Sequence, residues 1–248
     1  MNFSKVLTIL AMILLVPLLG AAGKGDDAEA VSTQPERLKR TVAGDEAVDR
    51  NGAEILKLLE ARYTGVKTVK GSFTQVTVDT TFGEKIESRG SFYLKKPNRL
   101  RIDYARPHET TLLVTDRTLY RYVAQLKQVE RYRIDPSNSI VETNYMLLGF
   151  GADTREVLRT YKVNLLRRER GQAVLRLVPE HPEEASFKSI EMTVDTKAQI
   201  PVEFRVAQLD GTEAVVHINP SSIVIDAPLQ DNLFRPVFAS DAQVVDMK

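Results

Sequence analysis

Glu84-Lys85-Ile86-Glu87-Ser88-Arg89-Gly90-Ser91-Phe92-Tyr93-Leu94-Lys95 is the stretch that decides the fold class. Its even positions carry Ile86, Phe92 and Leu94, with small Ser88 and Gly90 between them, while Lys85, Glu87, Arg89 and Lys95 are charged. A period of two with one wet and one apolar face belongs to antiparallel sheet, because a parallel sheet covered on both sides reads as a continuous apolar run. The alternation recurs in Arg99–Tyr104, where Leu100, Ile102 and Tyr104 oppose Arg99, Arg101 and Asp103. It recurs again in Lys188–Asp195, where Ile190, Met192 and Val194 oppose Ser189, Glu191, Thr193 and Asp195. Val202, Phe204 and Val206 continue it, then Ala214, Val216 and Ile218, with Asp210-Gly211 as a hairpin turn between them. Asp116-Arg117 stands in an equivalent place without a Gly. About ten or eleven strands at this spacing predict a barrel or a sandwich.

Ahead of the strands, Asn51 and Glu54 form a capping pair, and Ile55, Leu58, Leu59 and Arg62 fall at i, i+3, i+4 and i+7. One amphipathic helix therefore runs toward Gly65 as its C-cap. The strand series is interrupted between Asp135 and Arg159. Tyr145, Met146, Leu147, Leu148 and Phe150 predict a short apolar helix, and Asp153 with Glu156 caps a second one. The first has two readings, a plug at one end of the sheet or a movable lid over an apolar cavity.

Met1–Lys5 carries one Lys, and Val6–Leu19 is an apolar run closed by Gly20-Ala21-Ala22-Gly23. This is the pattern of a secretory signal peptide over residues 1–22, shorter than the ~20 apolar residues that span a bilayer. An uncleaved anchor is the alternative. Residues 23–50 are polar and predict a flexible tether, or else a partner-docking arm, ahead of one domain at 51–248. The absence of Cys excludes a disulfide framework, a thiol nucleophile and a cysteine-linked lipid. With 34 Lys and Arg against 33 Asp and Glu, the chain has no basic excess with which to bind nucleic acid.

Chemistry is sparse. His108, His181 and His217 are the only histidines, and Leu112 stands where the second His of a zinc-protease helix beginning at His108-Glu109 would be. No G-x-S-x-G elbow is present. A carboxylate pair converging in space stays open; no catalytic residue, metal or cofactor is expected. What is left is a large one-sided apolar face with too few helices to cover it. Such a sheet curls on itself and encloses either a greasy pocket or a fully packed core. Parity puts Phe73, Ile86, Phe92, Leu94, Leu100, Ile102, Tyr104, Val114, Tyr120, Tyr122, Ile190, Met192, Val194 and Phe204 on the inward face, and small Ser88 and Gly90 favour space within it.

Several segments taken in order carry a family resemblance: Gly71-Ser72-Phe73-Thr74-Gln75, then Gly90-Ser91-Phe92-Tyr93-Leu94-Lys95-Lys96-Pro97-Asn98-Arg99-Leu100-Arg101-Ile102-Asp103-Tyr104. Leu113-Val114-Thr115-Asp116, Leu119-Tyr120-Arg121-Tyr122, Leu147-Leu148 and Asp231-Asn232-Leu233-Phe234 follow. Together they resemble the LolA family of periplasmic outer-membrane lipoprotein carriers over most of the chain. The resemblance implies an unclosed antiparallel half-barrel with a short helical lid, in the periplasm, whose interior receives acyl chains. As partners it implies acylated lipoproteins, an inner-membrane ABC exporter and an outer-membrane acceptor. The chain would act as a monomer, with no cofactor and no nucleic acid. The family's Arg before the Pro of K-P-N, which latches the lid, corresponds to Lys96, a point charge rather than a planar fork. Ile102 stands where the family usually has Trp, and Arg117 where it has the turn Gly. A lipid-sensing envelope regulator on the same fold is the alternative function, and it would be expected to carry a further partner-binding domain. An outer-membrane acceptor would need the lipid-anchoring Cys that is missing.

Overall fold

The computed structural model describes residues 50–79, 83–105, 109–134, 148–183, 185 and 187–247. The expected signal peptide, the tether through residue 49, His108, and Tyr145, Met146 and Leu147 of the expected lid lie outside them. Helix α1 is Arg50–Arg62. It takes in Asn51 instead of starting after it, a two-residue difference within the ordinary uncertainty of helix ends. Gly65, at φ +78°, turns the chain after it as predicted.

The strands are β1 (Thr68–Asp79), β2 (Lys85–Lys95), β3 (Arg99–Tyr104), β4 (Thr110–Thr115), β5 (Thr118–Val123) and β6 (Gln128–Arg133). Helix α2 (Thr154–Thr160) intervenes. Then come β7 (Tyr161–Glu169), β8 (Gln172–Pro179), β9 (Phe187–Asp195), β10 (Ile200–Gln208), β11 (Thr212–Ile218), β12 (Val224–Ile225) and β13 (Gln243–Met247). The count exceeds the expectation because β12 is only two residues long and β13 shows no alternation: its residues Gln243–Asp246 are all exposed.

All strands join one sheet in the order β13-β6-β5-β4-β3-β2-β1-β11-β10-β9-β8-β7, with β12 beside β1. Its end strands, β13 and β7, are not neighbours, so the sheet is unclosed, as expected. Neighbours run antiparallel except β13, which lies parallel to β6. At the β10–β11 turn, Gly211 sits at φ +94° and Asp210 Oδ1 accepts from the Thr212 N–H at 2.9 Å. The β4–β5 turn forms at its predicted place although Asp116 and Arg117 must both adopt positive φ, +47° and +55°.

The curled sheet buries its inward face against α1. Ile55, Leu56, Leu59 and Tyr63 of α1 and the turn after it join inward residues of β1–β11 in one apolar cluster. Gly52 lets the helix approach β7: a Cβ there would stand 3.2 Å from Val163 Cγ1. Asp153 caps α2 by accepting from the N–H groups of Glu156 and Arg155, and these bonds hold its carboxyl below the usual range.

The outer face of β3–β6 is covered as well. After β12 the chain makes a 3-10 turn at Asp231–Phe234, held by Lys95 and Arg99, each 2.7 Å from Asp231 Oδ1. It continues past β4 and β5 to pair β13 with β6, where Arg131 Nη2 donates to Asp246 Oδ2 at 2.7 Å. This C-terminal arm makes β5 a strand covered on both sides.

Candidate functional site

Strand register decides which residues share the inward face. Across β1 to β6, one row runs Val69, Leu94, Leu100, Val114, Leu119 and Tyr132. The next runs Gly71, Phe92, Ile102, Leu112, Arg121 and Glu130. On the other side of β1, Gln75 leads into Val216, Phe204, Met192 and Leu175. Of the residues that parity placed inward, Phe73, Phe92, Leu94, Leu100, Ile102, Tyr104, Val114, Ile190, Met192, Val194 and Phe204 all belong to the buried cluster. Ile86 has the right parity but lies toward the Lys85 end of β2, half-buried and outside that cluster.

Tyr120 and Tyr122 face the other way. Their rings lie 5.8 and 5.3 Å from the ring of Phe238 in the C-terminal arm, on the outer side with Leu113. On β5 it is Leu119, Arg121 and Val123 that are buried. With the arm on one side and the core on the other, both faces of this strand are apolar, and alternation alone cannot say which points in. Gly90 is likewise no source of space. A Cβ on Gly90 would stand 2.7 Å from Phe73 Cζ, and one on Gly71 would stand 2.6 Å from Phe92 Cζ, so neighbouring rings already lie over both glycines.

The inward face is covered. Leu148 and Phe150, from the expected lid, are buried in the same cluster as the α1 residues. The Phe150 ring lies 5.0 Å from that of Phe92 and meets Tyr63 edge-on at 5.6 Å. Lys96 lies at one corner of this cover, where its Nζ donates to the Tyr63 carbonyl at 3.0 Å. A Cβ on Gly151 would stand only 3.1 Å from the same Nζ. A cation at the carbonyl end of a helix is favourably placed, and burial lowers the pKa of this one. A cavity of about 430 Å³, open to solvent, lies at β2, β1 and β11, lined among others by Ser72, Thr74, Arg89, Ser91 and His217.

Polar groups interrupt the apolar interior at defined places. Arg121 Nε lies 3.1 Å from Glu130 Oε2, and Tyr132 Oη donates to that oxygen at 2.6 Å. Tyr104 Oη donates to Gln75 Oε1 at 2.9 Å, and Gln75 Nε2 donates to Thr77 Oγ1 at 3.0 Å. Burial pushes the Tyr104 and Tyr132 hydroxyls above their usual pKa. Sequence reading passed over Arg121 and Glu130 because each looks like a wet-face charge; the signal that could have found them is their opposite sign once β5 and β6 are in register. Among the described residues no group of His, Asp and Glu could hold a metal ion. His217 Nδ1 lies 3.2 Å from Glu203 Oε2, and His181 is exposed beside Glu183.

A family model described as "Outer membrane lipoprotein carrier protein LolA" matches residues 64–237. An outer-membrane lipoprotein carrier protein of Methylococcus capsulatus is 26% identical over 132 residues, covering 53% of this chain and 61% of that protein. One from Cupriavidus pinatubonensis is 37% identical over 81 residues, covering 31% of this chain and 38% of that protein. The chain thus spans less than two thirds of the length of either relative. A solved LolA superfamily protein from Nitrosomonas europaea superposes with a TM-score of 0.40 at 12% identity, covering 74% of this chain and 97% of that one.

Proposed function

The chain belongs to the LolA family of outer-membrane lipoprotein carriers, and from that premise we propose that it shelters the acyl chains of lipoproteins during their passage through the periplasm. It receives them from an inner-membrane ABC exporter and surrenders them to an outer-membrane acceptor. The acyl chains lie against the inward residues of β2, β3, β9 and β10, from Phe92 and Ile102 to Met192 and Phe204. The single observation that supports this is the cover itself: an unclosed sheet whose apolar face is occupied by α1, Leu148 and Phe150, with Lys96 bonded to the Tyr63 carbonyl at its corner.

The energetics suit such a cover. Each methylene left in water costs about 0.8 kcal/mol, so a chain of ~15 methylenes costs ~12 kcal/mol to expose. A carrier that offset all of this could not release its cargo. Here the described inward side chains pack against one another and against α1 in one buried cluster, and an acyl chain competes with those contacts, which lowers its net affinity. The exchange is of one apolar contact for another and involves no covalent step. Direction comes from ATP spent at the exporter and from a stronger acceptor downstream.

The reading is tested by incubating the purified mature protein with spheroplasts. Lipoprotein is expected in the soluble fraction only when the protein is present, and acyl lipid is expected in an organic extract of the recovered complex. Spheroplasts that release no lipoprotein would refute the carrier function. Leu148→Asp is expected to abolish release while the sheet stays folded by circular dichroism.

A further inference from the structure

Tyr63 occupies the turn after α1, at the corner where the cover meets the sheet, and it is fully buried. Its carbonyl accepts from Lys96, its ring meets Phe150 edge-on, and Gly151 fits against its Cβ, where an added side-chain carbon would stand 2.5 Å away. Its hydroxyl has no hydrogen-bond partner among the described residues. A buried phenol normally finds one, and Tyr104 and Tyr132 in this interior both do. An unpaired buried hydroxyl is a net cost to the fold that Phe would not carry at this position.

We propose that the Tyr63 hydroxyl is the donor that receives the ester carbonyl oxygen at the head of a bound acyl chain. This rests on the carrier reading and assigns a residue within it. An alkyl chain is chemically uniform along its length, so a protein can fix how deep it lies only through the polar group at its end. An ester carbonyl is an acceptor and needs one donor; Tyr63 supplies one, and burial keeps it protonated by raising its pKa to about 12. Phe150 beside it, and Phe92 against Phe150, are apolar and offer no competing acceptor. Tyr63 is thus a positioning residue that sets the depth of the chain.

The test uses two probes of equal chain length, methyl palmitate carrying a 13C carbonyl and hexadecane, with wild type and Tyr63→Phe. Tyr63→Phe is expected to bind methyl palmitate about tenfold more weakly and hexadecane unchanged, a ratio set by one hydrogen bond. In wild type the infrared carbonyl band of the bound ester is expected at lower frequency than in an alkane solvent, returning to the alkane value in Tyr63→Phe. Equal losses for both probes, or no loss for either, would overturn the assignment, as would an unshifted carbonyl band in wild type. If wild type binds neither probe, the carrier reading itself fails and the assignment goes with it. The variant's melting temperature is not expected to fall, since the hydroxyl it lacks has no partner among the described residues.

Discussion

Arg121 and Glu130 face each other across β5 and β6 at 3.1 Å, on the inward side, with 5% and 11% of their side chains exposed. Burying two charges is repaid only while both are present. Glu130→Ala is expected to cost about 3–5 kcal/mol in urea unfolding, because it takes a carboxylate from a buried guanidinium and the acceptor from Tyr132. Arg121→Met with Glu130→Leu is expected to cost less than either single change. A single substitution costing under ~1 kcal/mol would mean that water reaches the pair.

Tyr63 makes stability depend on alkaline pH. Its hydroxyl is raised from the usual 10 to about 12, chiefly by burial, so above pH 10 the unfolded chain loses this proton and the folded one keeps it. The contribution is fully present below pH 10 and is lost as the pH rises from 10 to about 12, to a total of roughly 2–3 kcal/mol. Denaturant titrations of wild type and Tyr63→Phe should coincide in slope below pH 10 and diverge above it, wild type losing more.

Gly71 and Gly90 yield different double-mutant behaviour. Gly71→Ala collides with the Phe92 ring and is expected to cost about 1–3 kcal/mol, much of it recovered when Phe92 is also changed to Leu. Gly90→Ala meets the Asp103 carbonyl at 2.5 Å as well as Phe73, and backbone cannot be trimmed. Phe73→Leu should therefore fail to rescue it. Calorimetric melting of the four variants separates the two cases.

The C-terminal arm is held at its rim by the pairs Lys95–Asp231, Lys127–Asp241 and Arg131–Asp246, and by Phe238 between them. Exposed pairs contribute little and weaken with salt. Phe238→Ala is expected to speed hydrogen exchange across Gln243–Met247 at least tenfold, and 0.5 M salt to add to that, while the β1–β11 amides are unchanged. Uniform acceleration of both regions would show that the arm unfolds only with the whole domain.

Parity was readable where one face of a strand is wet. Phe92, Leu94, Leu100 and Ile102 fall inward as their spacing says, because charged neighbours such as Arg89 and Arg99 leave no other choice. It misled at β5, where Leu119 and Val123 compete with Tyr120 and Tyr122 and the outcome depends on an arm that returns from the far end of the chain. Lys96 was legible only through resemblance to a family, since a Lys at a turn carries no signal by itself. Tyr63 was not legible at all. Its local sequence describes a helix end, and its isolation is a property of Phe150, Gly151 and Lys96 brought together by the fold.

β1 has one neighbour made next to it and another made long after. Strands β2–β6 and β7–β11 are two series of consecutive hairpins, each able to form soon after it is synthesised. The seam between them is the pairing of β1 with β11, Phe73 against Ile218, with most of the chain intervening. Until β11 emerges, a nascent copy carries a bare edge beside a greasy half-shell, the condition in which partly made sheets stick to one another. Substitutions that delay the β1–β11 pairing are accordingly expected to lower the soluble yield even where they leave the stability of the finished molecule unchanged.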